Sequence, residues 1–138
     1  MTDNTHLLKE TINIKISKDD KLYDGSIFLE EKDDGNCYLK ISFSNEIISI
    51  ISSDFFDCLR KLKNERPTIL IYCKGYKKNV YPSRMTRQMG LGLKAYEMKL
   101  GCQATFKDLV GIFDFEDKDL TSSNKEQEEF YRKWLVSL

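Results

Sequence analysis

Histidine is nearly absent from this chain of 138 residues: His6 is the only one, and it lies close to the N-terminus. Catalytic sites that use an imidazole as a general base, and zinc sites that use it as a ligand, therefore have nothing to be built from. The four cysteines, Cys37, Cys58, Cys73 and Cys102, are 21, 15 and 29 residues apart, whereas structural zinc sites contain a closely spaced pair. We predict no metal site, no cofactor and no enzymatic activity; Cys102, which follows a glycine, is the one cysteine expected to be exposed.

Long apolar runs are also missing. No stretch approaches the roughly 20 apolar residues of a membrane-spanning helix, and residues 1–10 lack the apolar centre of a secretory signal. With only seven glycines and two prolines in the chain, neither a flexible linker nor a disordered region is indicated. We expect one domain over residues 1–138, located in the cytoplasm, with reduced cysteines packed as small apolar side chains.

Charge is balanced over the whole chain but not along it. Residues 1–58 carry a net charge of −6, residues 100–138 carry −3, and residues 59–99, with 11 basic and 2 acidic side chains, carry +9. A basic segment of this kind can form an anion-binding face, or it can be neutralised by acidic segments that lie against it. The sequence leaves both interpretations open.

Alternating apolar residues predict a sheet in the N-terminal half. Ile12, Ile14 and Ile16 alternate with polar residues, and the same period of two recurs further along the chain. Residues 33–36, Asp-Asp-Gly-Asn, are typical of a hairpin turn because they tolerate positive φ. We predict antiparallel strands over residues 11–18, 22–31, 37–43 and 46–51.

Helical spacing begins after these strands. Apolar residues recur at intervals of three and four from Phe55 to Leu62, and Ser52 or Ser53 can cap that helix. Residues 68–73 form a short apolar, β-branched run, which predicts a strand buried on both faces.

The C-terminal half alternates short elements. We predict a Ser83-capped helix over residues 84–89, a strand within 91–100, a short Thr105-capped helix or a loop, a strand-like stretch over 111–113, and a helix over 124–138. The apolar face of the last helix is expected to consist of Phe130, Tyr131, Trp134, Leu135 and Leu138. The fold class is therefore α+β, an N-terminal antiparallel sheet with helices packed against it as a single pair of layers.

Two clusters of charged residues are candidate binding sites. Arg84 and Arg87 lie at a predicted helix start, where main-chain N–H groups favour an anion, so a nucleic acid or a small phosphorylated ligand can dock there. The full set of ligand-binding candidates in the basic 74–99 segment is Lys77, Lys78, Tyr81, Arg84, Arg87 and Lys94. The second cluster, Asp114, Glu116, Asp117 and Asp119, lacks the spacing of a calcium loop and is expected to be a solvated loop or a contact surface for a basic partner.

Residues 78–115 resemble a group of small bacterial proteins, the immunity proteins of contact-dependent growth inhibition and related polymorphic toxin systems. The residues that carry the resemblance are Asn79-Val80-Tyr81-Pro82-Ser83, Met89-Gly90, Lys94-Ala95-Tyr96, and Leu109-Val110 followed by Ile112-Phe113.

The resemblance implies a protein that binds the C-terminal domain of a cognate toxin, often a nuclease, and blocks its active site. Because nucleases are basic where they meet nucleic acid, the acidic residues Asp114, Glu116, Asp117 and Asp119 are the first choice for toxin contact, together with Tyr81, Arg84 and Arg87. Nucleic acid remains the alternative partner, no membrane partner is expected, and the oligomeric state is left open.

Overall fold

The N-terminal half of the chain forms a five-stranded antiparallel sheet. The computed structural model describes residues 7–138; His6 lies outside them. The strands are β1 (Lys9–Lys18), β2 (Lys21–Glu31), β3 (Cys37–Phe43), β4 (Glu46–Ser52) and β5 (Ile69–Ile71), in the spatial order β4-β3-β2-β1-β5. Alternate side chains of each strand point into the core, as the period of two predicts.

Helix α1 (Phe55–Glu65) follows β4 and leads the chain back across the sheet to β5 at the opposite edge. Its Phe55, Phe56, Leu59 and Leu62 are fully buried, and burial of each such side chain contributes about 1.5–3 kcal/mol. The predicted serine cap of this helix is wrong. Asp54 occupies the N-cap position instead, and its Oδ1 accepts a hydrogen bond from the Asp57 N–H at 2.7 Å.

A second, three-stranded antiparallel sheet follows. It consists of β6 (Val80–Tyr81), β7 (Lys94–Glu97) and β8 (Leu109–Gly111) in that order, with helix α2 (Arg84–Met89) between β6 and β7. Ser83 caps α2, as predicted: its Oγ accepts from the Thr86 N–H at 3.0 Å. The α+β class is thus confirmed, and the structure adds this small sheet, whose strands are too short to show a period.

The short elements of the C-terminal half differ in extent from the prediction. The strand within residues 91–100 is limited to β7, because Leu91 and Gly92 both take positive φ and form a turn. Residues 111–113 are not a strand: β8 ends at Gly111, where a turn closed by the Asp114 N–H to the Gly111 carbonyl begins. Thr105 does cap a short 3₁₀ helix, Phe106–Asp108.

Helix α3 (Asn124–Ser137) packs with a different face from the one its apolar residues indicate. Trp134 is buried and Tyr131 is half-buried, but Leu135 and Leu138 lie largely in solvent, so the predicted face is wrong at both positions. Gln127 is buried in their place. Within residues 7–138, no helix is long and apolar enough to cross a membrane.

The cysteines differ sharply in exposure. Cys37, Cys58 and Cys73 are fully buried, and burial raises the pKa of Cys37 to about 11 and those of Cys58 and Cys73 to about 12. Cys102 is exposed, and all four thiols are free.

We therefore expect one thiol of the native protein to react rapidly with a disulfide reagent at pH 8, and all four to react in denaturant. Cys102→Ser should abolish the rapid reaction and leave the slow reaction of the three buried thiols unchanged. Rapid reaction of a second thiol would show that the core opens easily at one of the three buried positions.

Candidate partner-binding groove

The chain from Tyr81 to Gly92 is fixed to the first turn of α1. Asp54, which is buried, caps α1 through Oδ1 and accepts a hydrogen bond at Oδ2 from Arg87 Nε at 3.0 Å. Arg87 Nη2 also lies 3.5 Å from Asp57 Oδ1. Arg87 thereby joins α2 to α1, and its charge is used inside the protein.

A turn after α2 strengthens the same connection. The Leu91 carbonyl accepts a hydrogen bond from the Phe55 N–H at 2.8 Å. Gly92 has φ of +69°, and a Cβ at this position would lie 2.7 Å from Asp54 Oδ1 and 3.0 Å from the Phe56 nitrogen. Only glycine fits there without displacing the cap of α1.

Three aromatic rings form one wall beside this connection. The Tyr81 ring stacks on Tyr131 with centroids 4.6 Å apart, and Tyr131 stacks on Trp134 at 6.0 Å. Phe56 and Tyr81 are packed edge to face with their ring centroids 5.6 Å apart, and Trp134 Nε1 donates to the Cys102 carbonyl at 2.8 Å. The stack is therefore held from two sides, by α1 and by the loop before β8.

A groove of about 540 Å³ opens along these rings, and we call it the tyrosine groove. Its main lining residues are Ser53, Tyr81, Pro82, Arg84, Gln88 and Tyr131. A smaller apolar pocket of about 190 Å³ continues it and shares Tyr81, Pro82 and Tyr131.

Helix α2 forms the outer rim of the tyrosine groove, which it lines through Arg84, Arg87 and Gln88, and it also exposes two methionines outside that lining. Met85 and Met89 are 69% and 83% exposed, and their spacing of four residues places them on one face. Arg84 has no carboxylate within ion-pair distance among the described residues. The rim therefore combines flexible apolar side chains with an uncompensated cation.

The predicted acidic and basic sites meet elsewhere, in one ion-pair cluster. Glu116 Oε1 lies 2.7 Å from Lys77 Nζ and 2.9 Å from Lys74 Nζ, and the two lysines also contact Glu97, at 2.7 Å from Lys74 and 3.4 Å from Lys77. Desolvation alone would raise the pKa of Glu116, but hydrogen bonds from Lys77, Lys74 and two main-chain N–H groups outweigh it and lower the pKa to about 2.

The ion pairs of this cluster determine which of the predicted site residues are free to contact a partner. Glu116 is 8% exposed and is paired with Lys77, so neither residue is free to contact a partner. The charge of Arg87 is likewise neutralised within the protein, by Asp54. Asp114 Oδ2 accepts from the Gly111 N–H at 3.0 Å. The predicted residues that remain exposed without an ion-pair partner in the described chain are Lys78, Arg84, Lys94, Asp114, Asp117 and Asp119.

The structure also contains a buried polar pair that sequence reasoning missed. Lys63 Nζ, 1% exposed, donates to the Gly75 carbonyl at 2.9 Å and to Gln127 Oε1 at 2.5 Å. Desolvation lowers the pKa of Lys63 to about 7. The burial of both residues could have been predicted from their positions in the two helices. Lys63 lies seven residues after Phe56, on the apolar face of α1, and Gln127 lies on the same face of α3 as Tyr131 and Trp134.

No protein-family model matches this chain, and no curated protein matches it at a significant level. Within residues 7–138 there is also no cluster of three side chains that could hold a metal ion.

Removing the cap of α1 tests whether Asp54 holds the groove together. We expect Asp54→Ala to lower the free energy of unfolding by about 2 kcal/mol, since it removes both the cap and the partner of Arg87. Asp54→Asn retains a capping side chain and should cost about half as much. Urea unfolding measures both variants, with the exposed Asp117→Ala as control; equal stability of all three would contradict the role of Asp54.

The ion-pair cluster predicts an acid-dependent stability. A carboxyl group whose pKa is lower in the folded chain contributes stability above its unfolded value, near 4.5, and loses that contribution as the pH falls towards 2. Glu116→Gln should be less stable at neutral pH and should show a smaller loss of stability between pH 4.5 and pH 2.

Thermal unfolding as a function of pH measures this difference. Asp117→Asn, at an exposed neighbouring position, should keep the wild-type profile. A Glu116→Gln profile that runs parallel to the wild type would show that the lysines do not stabilise the carboxylate.

Proposed function

We propose that this protein is a binding protein of the immunity type, which neutralises a toxin domain by contacting it through the tyrosine groove. The observation that carries the proposal is the composition of the groove and its rim. Protein interfaces are enriched in tyrosine, tryptophan, arginine and methionine. Here Tyr81 and Tyr131 lie beside an unpaired Arg84, with Met85 and Met89 exposed on the adjoining helix.

The rigidity of the groove supports the same role. Arg87 and the Leu91 carbonyl tie α2 to α1, and Arg60 Nη1 joins α1 to α3 through Glu128 at 2.7 Å. A partner that docks on a wall already held in place loses less conformational entropy on binding than one that must order it. Tight inhibition of an enzyme benefits from this preorganisation.

The choice of a toxin as the partner depends on the resemblance. The segment that resembles immunity proteins, residues 78–115, supplies Tyr81, Pro82, Arg84 and Gln88, four of the side chains that line the groove. We place the function in the cytoplasm; the four free cysteines of the described chain are in keeping with a reducing compartment.

The acidic loop, residues 114–119, has a smaller role in this proposal than the sequence suggests. Glu116 is committed to the lysine cluster, so Asp114, Asp117 and Asp119 are the acidic residues left to meet a basic toxin surface. We expect these three to increase the rate of association rather than to anchor the complex, because they are exposed.

The alternative partner is a nucleic acid or a small phosphorylated ligand. Arg84 favours it, since this side chain combines an unpaired guanidinium with the neighbouring Tyr81 ring in one groove. Of the six candidate residues in the basic segment, Lys77 and Arg87 are paired within the protein, which leaves Lys78, Arg84 and Lys94 as cations without an ion-pair partner in the described chain, a weak electrostatic basis.

Co-expression tests the proposal. The toxin to test is the variable C-terminal domain of any large secreted protein that is found encoded beside this gene, and we expect the wild-type protein to rescue the growth of cells that produce it. Met85→Asp and Arg84→Glu should each weaken the complex by about 2 kcal/mol, roughly thirtyfold in Kd, and reduce rescue. Calorimetry or surface plasmon resonance with an inactive toxin variant measures the affinity.

Leu22→Asp is the matched control. Leu22 is 59% exposed, and it lies at one end of β2, whereas the groove is reached from the other end, where Gly35 in the turn after β2 also lines it. It should retain full protection. Loss of rescue on Asp117→Lys with no effect of Met85→Asp would move the contact to the acidic loop. Recovery of nucleic acid alone, released by salt, would contradict toxin binding and favour the alternative.

A further inference from the structure

Strand β4 leaves one edge of the five-stranded sheet open. It pairs with β3 along its whole length, from Glu46 opposite Phe43 to Ser52 opposite Cys37. On its other side no strand of the described chain lies next to it. The outward main-chain groups of β4 are therefore not paired with another strand of the described chain.

The direction of these groups is known from one contact. Lys61 Nζ donates to the Ile51 carbonyl at 3.0 Å, so this carbonyl points away from β3. In an antiparallel sheet the N–H and C=O of one residue point to the same side, and the side alternates along the strand. Ser49 and Ile47 consequently present their N–H and C=O groups to the open edge as well.

The side chains of β4 do not protect this edge. Natural sheets block exposed edges with lysine, proline or a bulge within the edge strand. Between Glu46 and Ser52 the strand contains none of these devices and has four isoleucines. Ile47 and Ile51 are 68% and 52% exposed on the open face of the sheet.

The central residues of β4 form a palindrome. Residues 47–51 read Ile-Ile-Ser-Ile-Ile in both directions. If a second copy of β4 lies antiparallel with Ser49 opposite Ser49, each Ile47 faces an Ile51 and each Ile48 faces an Ile50. We propose that two copies of this chain associate through their β4 edges around a two-fold axis at Ser49, forming one continuous ten-stranded sheet.

The hydrogen-bond directions agree with this register. The residue pairs that face each other across the axis, Ser49 with Ser49 and Ile47 with Ile51, are those whose N–H and C=O groups point outwards. A shift by one residue would oppose outward-pointing groups to inward-pointing ones, and it would also place Ile47 and Ile51 opposite residues of the other face. The main chain and the side chains therefore both exclude shifts by an odd number of residues. Among the remaining alignments, only the one with Ser49 opposite Ser49 places every isoleucine of residues 47–51 opposite another isoleucine.

The expected dimer is reversible. One pair of seven-residue strands buries less surface than the roughly 1,200 Å² of standard stable interfaces, so the dimer should form with increasing protein concentration. The Ile51 carbonyl has two lone pairs, so Lys61 can keep its contact or turn into solvent, where its side chain already lies.

The position of Ser49 on the axis allows a sharp test, because any residue there faces itself. Sedimentation velocity of the purified protein over a range of micromolar concentrations should show a monomer–dimer equilibrium. Ser49→Lys and Ser49→Glu should each weaken the dimer roughly fivefold through like charges placed directly opposite. An equal mixture of the two variants should form a heterodimer at least as tight as that of the wild type.

Ser49→Pro removes the outward N–H without touching the β3–β4 ladder and should be monomeric throughout. Ser49→Thr is the control and should dimerise as the wild type does. Circular dichroism and urea unfolding establish that each variant is folded.

A wild-type protein that stays monomeric at the highest concentration would overturn the proposal. So would dimerisation of a folded Ser49→Pro variant, or a mixture of the Lys and Glu variants that is no tighter than either alone. These measurements use the protein without a toxin, so their outcome is independent of the proposed inhibitory function.

Discussion

The interior of this protein depends on two buried polar side chains, Lys63 and Gln127. The chain that leads from β5 into β6 has buried residues at Gly75 and Val80, whose carbonyl groups need hydrogen-bond donors from within the protein. Lys63 Nζ supplies one to Gly75, and Gln127 Nε2 donates to the carbonyls of Gly75, Lys77 and Val80 at 3.0, 2.8 and 3.3 Å. Because Lys63 belongs to α1 and Gln127 to α3, one hydrogen-bonded unit joins two helices to the connection between the two sheets.

The tyrosine groove follows from this arrangement. Once Gln127 places α3 beside β6, Tyr131 lies one turn further along the helix and reaches the ring of Tyr81. Lys63 is also enclosed by aromatic rings, with its Nζ 4.7 Å from the centre of Tyr76 and 5.5 Å from that of Phe56. Phe56 in turn contacts Tyr81. The core and the groove therefore share side chains, so a substitution that shifts the packing of the core also shifts the wall of the groove.

Charge is distributed by the same logic. The basic segment of the sequence is folded against acidic residues that come from before and after it, Asp54 for Arg87 and Glu116 for Lys74 and Lys77. Of its 11 basic side chains, five form ion pairs with carboxylates, namely Arg60, Arg66, Lys74, Lys77 and Arg87, and Lys63 is buried. The other five, Lys61, Lys78, Arg84, Lys94 and Lys99, are exposed without an ion-pair partner in the described chain. Apolar and aromatic surface accompanies Arg84 in the groove and on the methionines of α2.

Part of this structure could be predicted from local sequence. Strands β1 to β3 have clear alternation, so their type could be inferred, and the turn at residues 33–36 predicted the pairing of β2 with β3. Ser83 and Thr105 could be recognised as caps from their own neighbours. Short strands such as β6 and β8 gave no periodic signal because two or three residues cannot show a period. The cap of α1 was misassigned because Ser52, Ser53 and Asp54 are consecutive and each residue type can cap a helix. In the structure Ser52 belongs to β4, and Asp54 is held in place by Arg87 of α2.

The candidate site was likewise predictable from the sequence only in part. The sequence by itself determined the α+β class, the antiparallel N-terminal sheet and the residue types that a binding role needs, because these depend on neighbours along the chain. Which charges are free was decided only by tertiary structure: Glu116 and Lys77 are 39 residues apart and meet at 2.7 Å, whereas Arg84 finds no carboxylate in the described chain. Solvation and pairing of a charge depend on what the fold brings next to it, and no local pattern contains that information.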